Sequence, residues 1–247
     1  MKLKAGAVIA IATALSIGMA GAAAASPAGH KPKPKPKPAP QVTGVRLQSA
    51  LLPASAFGDG FDVFSHLNSG SRLWPTQVHI KPSSLRCQEF EEPFFVAGFG
   101  NTAGAADSVE NPDPAWADYP SLVLFANQGV LQFKTTQAAA SFYNQAFTKY
   151  QQCSAFTESD PTDSTDTFEL TTQSLSKATI NKDQAFQLTQ LVDLSALPAA
   201  SFYENTAVVL SGTDVYSVDT LNGTNDPISD SLLGTLIKRV HALYPRH

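Results

Sequence analysis

The sequence predicts an α+β domain: an antiparallel sheet packed with a central and a C-terminal helix, in a single domain over 41–247 that could hold a cleft. Two strongly periodic helical segments and several short runs of Val, Leu, Phe and Tyr divided by turn residues predict it. About 200 residues are enough to bury one sizeable core.

A short helix is expected to start at Ser49, with Pro53 near its first turn. A strand follows over 94–99. Over 121–133 the run Leu122, Val123, Leu124, Phe125 and the run Val130, Leu131, Phe133 read as strands broken by a turn at Asn127-Gln128-Gly129. The central helix is predicted over 135–152, where Ala139, Phe142, Tyr143, Ala146 and Tyr150 recur at steps of three and four. Cys153 continues that stripe, so its thiol faces the core. Strands are predicted over 168–175 and 186–192. The stretch 206–218 reads as two paired or bulged strands around Gly212. The last helix is predicted over 227–244, with Asp226 as N-cap, Pro227 at the first helical position and Pro245 as its stop. Leu232, Leu233, Leu236, Ile237 and Val240 form its buried face.

Residues 1–25 read as a secretory signal peptide: Lys2 and Lys4, an uncharged apolar run over 5–20, then Ala23 and Ala25 before Ser26. The apolar run is shorter than the roughly 20 residues that span a bilayer comfortably. Cleavage is expected after Ala25, with no cysteine beyond the run to take a lipid. An exported chain meets an oxidising compartment, so the even pair Cys87 and Cys153 is expected to be a disulfide. A metal site or a reactive thiol is the alternative, but neither cysteine has a Cys or His at metal-motif spacing.

Residues 26–40 form a tether. Lys and Pro alternate over 31–38, which removes amide donors, fixes φ and extends the chain as polyproline II, a semi-rigid spacer of about 30 Å. Beyond it, eleven Lys plus Arg stand against 21 Asp plus Glu, a net charge of −10. That acidic body excludes nucleic acid as a partner, which wants a basic face. The basic tether could make weak electrostatic contact with anionic wall or membrane polymers; a spacer that touches nothing is the simpler reading.

No catalytic signature is present: no GxSxG, HExxH, P-loop or dinucleotide fingerprint occurs. His66, His79, His241 and His247 each stand apart in the sequence, with no local hint of a triad. Ser174-x-x-Lys177 matches one penicillin-binding element but falls in a predicted strand, without the SDN and KTG that accompany it. Glu158, Asp160, Asp163, Asp166 and Glu169 lack the alternate spacing and the glycine of a calcium loop and read as a solvated loop. Asn222-Gly223-Thr224 has the form of a glycosylation sequon and is first a turn signal. No catalytic residue, metal or cofactor is assigned. The remaining candidates are aromatic. Trp74, Trp116 and Tyr119 lie in Pro-rich irregular segments, and Phe99 lies beside a Gly-rich stretch, positions from which aromatics line small-molecule or sugar sites. Capping the core is the commoner fate of such side chains.

The block Gly129-Val-Leu-Gln-Phe-Lys-Thr-Thr-Gln-Ala-Ala-Ala-Ser-Phe-Tyr143, running into Tyr150-Gln-Gln-Cys153-Ser154, resembles the extracellular sensor domain of the mycobacterial serine/threonine kinase H, a module also found in actinobacterial lipoproteins and secreted proteins. Leu51-Leu-Pro-Ala-Ser55 is similar to the opening of that module, and 226–240 to its final helix. The resemblance implies an antiparallel sheet with helices, a cleft for an unidentified ligand and no catalysis. It also implies a first disulfide placed as Cys87 and Cys153 are; a second, towards the C-terminus, has no cysteines here. With no kinase domain in the chain, any signalling would pass through a separate partner. The sequence thus points to a secreted, non-enzymatic ligand-binding domain of an actinobacterial cell envelope, its partner a small molecule or an envelope component. An extracellular hydrolase with dispersed catalytic residues and a wall-associated structural protein are the alternatives.

Overall fold

Eight antiparallel strands form one sheet in the computed structural model, which describes residues 42–69, 100–111, 123–159, 167–194 and 201–244. The strands are β1 (Asp62–Asn68), β2 (Asn101–Glu110), β3 (Val123–Phe133), β4 (Ala155–Ser159), β5 (Thr167–Ile180), β6 (Asp183–Leu194), β7 (Ser201–Ser211) and β8 (Asp214–Asn222). Their spatial order is β1-β2-β3-β8-β7-β6-β5-β4, so the pairing of β3 with β8 joins the two halves of the chain. The helices are α1 (Gly44–Ala50), α2 (Thr136–Gln152) and α3 (Asp230–His241). Among the described residues no helix is long and apolar enough to cross a membrane.

The period-two alternation of the central strands divides the core into two layers. On one face Ala207 and Val209 of β7 and Tyr216 and Val218 of β8 pack with α1 and α3. On the other face Val208 of β7, Val215 of β8 and Leu131 of β3 pack with α2. Both faces are covered, which is why the central strands read as near-continuous apolar runs rather than clean alternations.

The central helix forms as its periodicity predicts. Thr135 caps it by accepting a hydrogen bond from the Ala138 amide at 3.1 Å, and the five predicted stripe residues are all buried. Cys153 follows as the C-cap, itself buried and not a free thiol. Gly212, at φ +61, turns β7 into β8. Ser174 and Lys177 lie in β5, in the strand expected for them.

Other elements differ from the sequence reading. β3 is unbroken through Asn127, Gln128 and Gly129, which pair with β2 and β8 on either side: Asn127 also bonds Ser108 and Asp219, and Gln128 bonds both the amide and the carbonyl of Leu52. The first helix ends near Ser49 instead of starting there, and Pro53 leads only a single 3-10 turn, Ala54–Ala56. α3 starts at Asp230 with Ser229 as its cap, not at Pro227 with Asp226. The chain stays extended through Ile228, which is buried and whose carbonyl accepts from Gln187 at 3.2 Å. α3 also ends at His241, before Pro245. β1, β2 and β4 were not expected. β2, with the sequence NTAGAADSVE, has little strand propensity, but its three alanines, Ala103, Ala105 and Ala106, are all buried. Glu158 and Glu169 of the acidic run lie in β4 and β5, while 160–166 and the strand expected over 94–99 lie outside the described residues.

The β5–β6 hairpin turns on Asn181 and Lys182, at φ +51 and +76. This two-residue turn suits Asn first and Gly second; a lysine there holds a left-handed backbone against its own Cβ. Lys182→Gly is expected to raise stability by about 0.5–1 kcal/mol. The check is a higher urea midpoint with an unchanged slope.

Candidate functional site

Three polar constellations emerge from the tertiary fold. The first lies where the β7–β8 hairpin meets the C-terminal end of α3. Asp214 is buried, and its carboxylate accepts hydrogen bonds from the hydroxyls of Tyr244 at 2.6 Å and Tyr216 at 3.3 Å. Gln132 donates to the Tyr244 oxygen at 2.5 Å. Burial holds the Asp214 carboxyl above the usual carboxylate range, a rise only partly offset by the bonds from Tyr244 and Tyr216. Burial and the neighbouring Asp214 raise both tyrosine hydroxyls.

His241 and Ser211 stand beside this group, with the Ser211 hydroxyl 3.4 Å from His241 Nε2. A serine, a histidine and an aspartate are therefore brought together from separate elements. Nucleophilic catalysis needs the carboxylate to orient the imidazole through its other ring nitrogen. Here the carboxylate bonds two tyrosines instead, so the set serves to fasten α3 and the C-terminal turn to the sheet.

Because the folded-state pKa of Asp214 is raised above its ordinary value of 3.8, the folded protein binds more protons than the unfolded chain as pH falls into that interval. The stability linked to this group is fully present below the unfolded value and is lost as pH rises through the folded one. Asp214→Asn is expected to remove that pH dependence, seen by comparing urea midpoints of the two proteins from neutral pH to about pH 4.

A second constellation lies at the other end of the same face. Asp107 on β2 bonds His66 Nδ1 on β1 at 2.7 Å, and Gln48 of α1 bonds both Asp107 and, at 2.6 Å, Asn68. Burial raises the Asp107 carboxyl, while the His66 and Gln48 bonds act to lower it. His66 is 55% exposed against 6% for Asp107, so the pair orients an imidazole at the surface.

The third is on the α2 face. α2 covers only the hairpin end of that face. At the far end Leu170, Val192 and Phe202 form a second buried apolar group. Between the two the strands present a polar belt, whose register follows from the pairings Ser108–Asn127, Asn127–Asp219, Asp219–Thr206, Glu204–Gln190 and Gln190–Thr172. Part of it is internally satisfied. Ser108 donates to Asn127 Oδ1 at 2.6 Å, and Asn127 donates from both its amide and its Nδ2 to Asp219 Oδ1.

Part of the belt is not. Gln190 is 2% exposed, and its Nε2 has no hydrogen-bond partner; neither has the sealed hydroxyl of Thr172, directly across the β5–β6 pair. A buried donor or acceptor left unmade costs about 1–3 kcal/mol, and native folds tolerate few of them. Two fall at one register pair, and Gln132 Oε1 on β3 is a third among the described residues. An open depression of about 460 Å³ lies at the first turn of α2, where Thr136 and Gln137 face Lys182, Asp183 and Gln184 of the β5–β6 hairpin.

The aromatic candidates Trp74, Phe99, Trp116 and Tyr119 lie outside the described residues, as does Cys87. Among the described residues no group of three or more His, Cys, Asp and Glu could hold a metal ion. The belt itself carries no sequence signal: its members are ordinary strand residues spread over six strands, and only the register collects them.

No protein-family profile matches the sequence, and no curated protein matches it significantly. Solved structures do. The extracellular domain of PknH from Mycobacterium tuberculosis superposes with a TM-score of 0.59 over 81% of this chain and 97% of that one, at 17% identity. The Rv0999 ortholog from Mycobacterium smegmatis aligns at a TM-score of 0.37 and 13% identity, over 81% of this chain and 98% of that one. The chain thus has the fold of the PknH extracellular domain.

Proposed function

We propose that this protein is a secreted, non-enzymatic, sensor-like domain that binds a ligand over the polar belt of the α2 face. The unsatisfied Gln190–Thr172 pair carries this reading, since buried polar groups without partners cluster where a ligand supplies them. The likeness of fold to a kinase extracellular domain supports it, as does the failure of Ser211, His241 and Asp214 to form a hydrogen-bonded relay. In this reading 1–25 direct export and 26–40 space the domain from the cell surface. Cys153 is bridged to Cys87, closing a loop whose constraint contributes at most about 4 kcal/mol. Thiol labelling of the unfolded chain that appears only after reduction would establish the bridge.

The test of binding is a thermal-shift screen of the full chain against cell-wall fragments, sugars, lipids and common metabolites. A ligand at 100 times its Kd adds about 2.7 kcal/mol, a rise of about 5–10 °C for a domain of this size. A dose-dependent rise supports the reading, and its loss in Trp74→Ala or Trp116→Ala would place those aromatics at the site. A folded protein that responds to none of the panel would move the assignment to a structural role or a macromolecular partner.

A further inference from the structure

The open depression at the first turn of α2 lies apart from the belt and shares no residue with it. We infer that it binds a short zwitterionic peptide, with Lys182 taking the peptide's carboxylate and Asp183 its ammonium group. Its volume of about 460 Å³ lies within the range of about 300–1,000 Å³ common for small-molecule clefts, room for a di- or tripeptide. The charged wall is the tip of the β5–β6 hairpin, and the facing wall is the start of α2. Both walls are held in place. Thr135 caps the helix, the Phe142 ring packs on Phe133 with centroids 5.4 Å apart, and β5 and β6 stay paired up to Ile180 and Asp183.

The lysine carries the inference. Lys182 stands at φ +76, where glycine would carry no strain, so the chain holds a lysine there against its own Cβ. Among the described residues its side chain makes no hydrogen bond, ion pair or ring contact that would offset that cost. Strained residues of this kind persist at ligand clamps, where the side chain is needed. Asp183, Gln137 and Gln184 line the same depression, and their side chains have no hydrogen bond or ion pair among the described residues. The Asp183 charge acts only at a distance, helping to raise the buried Tyr216 hydroxyl. Lys182, Gln137 and Gln184 are exposed and Asp183 is half-buried, so all four are open to a ligand.

An ammonium beside a carboxylate, neither engaged, suits a ligand that carries both charges. A simple anion would gain Lys182 and meet repulsion from Asp183, on a body already rich in acidic residues. A simple cation would meet the reverse, and a sugar would answer neither charge. Between its charged ends a peptide offers an N–H and a C=O, and the carboxamides of Gln137 and Gln184 can each both donate and accept. Ala140 and Leu210 add apolar contact for small peptide side chains.

The test uses alanylalanine, its N-acetyl form, which lacks the ammonium, and its amide, which lacks the terminal carboxylate. The variants are Lys182→Gly, which is expected to stabilise the free protein, and Asp183→Asn, which keeps the side-chain shape; a thermal melt checks that both fold. Binding to the full chain is followed by NMR titration of the backbone amides. Alanylalanine should bind in the millimolar range or tighter, with shifts at Thr136, Gln137 and 182–184. Each cap should weaken binding at least about threefold, the scale of an exposed charge pair. Lys182→Gly should weaken alanylalanine by a similar factor yet leave the amide form unchanged, and Asp183→Asn should do the same for the N-acetyl form. A more stable variant that binds less tightly cannot have lost affinity by unfolding. The inference is overturned if alanylalanine does not bind, if its shifts fall on belt residues such as Asn127 and Gln190, if either cap has no effect, or if Lys182→Gly binds as tightly as wild type. None of these outcomes bears on the belt, whose ligand is sought in the wider screen.

Discussion

Phe186→Ala should cost about 3–5 kcal/mol, lowering the melting temperature by about 10 °C or more. Phe186 is fully buried on β6, and three aromatic residues of α2 close around it: Tyr143, Phe147 and Tyr150, with ring centroids 5.3, 5.5 and 5.8 Å away. Tilted and edge-on pairs of this kind add about 0.5–1.5 kcal/mol each beyond the area they bury. Removing the ring leaves a cavity that rigid strands on both sides cannot close, since β5 and β7 hold β6 in register. Phe186→Leu should recover more than half of the loss by refilling most of that volume. Urea unfolding of the three proteins measures both effects. A loss below about 1 kcal/mol for the alanine variant would mean that these contacts do not anchor α2.

Gly44→Ala is the second large expected effect, about 3 kcal/mol of destabilisation. Gly44 opens α1 with an ordinary helical backbone, so conformational freedom is not the reason for glycine. Space is. A Cβ there would lie 2.3 Å from Ser69 Oγ, 2.7 Å from the Ser69 amide and 2.8 Å from the Gly104 carbonyl. Two of those atoms are backbone, tied to each other by the Ser69 N–H to Gly104 carbonyl bond at 2.9 Å. To admit the methyl, α1 must lift off β2 and give up burial of Leu47 and Ala50.

Gly234 gives the contrast. Its added Cβ would meet only the side chain of Asn181 on the β5–β6 turn, which can rotate away. Gly234→Ala should therefore cost about 1 kcal/mol or less, part of it returned by the better helix propensity of alanine. If the two substitutions proved equally harmful, the distinction between backbone and side-chain obstruction would fail.

The expected results for Phe186 and Gly44 come from different layers of the fold, and only one of those layers is visible in the chain itself. The α2 stripe repeats every three to four residues, and its Thr135 cap sits where a cap must be, so the helix and the face it buries follow from local chemistry. The turn at Gly212 follows likewise, because a left-handed backbone favours glycine. Nothing local marks Gly44, whose requirement is imposed by Ser69 and Gly104, 25 and 60 residues further along.

The sequence by itself determined the class of the fold, its central and C-terminal helices and the hairpin pairing of β7 with β8, because each depends on periodicity, capping or turn chemistry within about 20 residues. Tertiary structure decided the rest. It ran β3 straight through Asn127-Gln128-Gly129, since Ser108, Asp219 and Leu52 supplied partners that outweigh a tripeptide's turn preference. It delayed α3 to Ser229, because burying Ile228 outweighs the Asp226-Pro227 start. It made an interior strand, second from the sheet edge, of alanine-rich β2. And it assembled the polar belt, where Thr172 and Gln190, 18 residues apart in the chain, stand side by side unsatisfied only because the β5–β6 register puts them there.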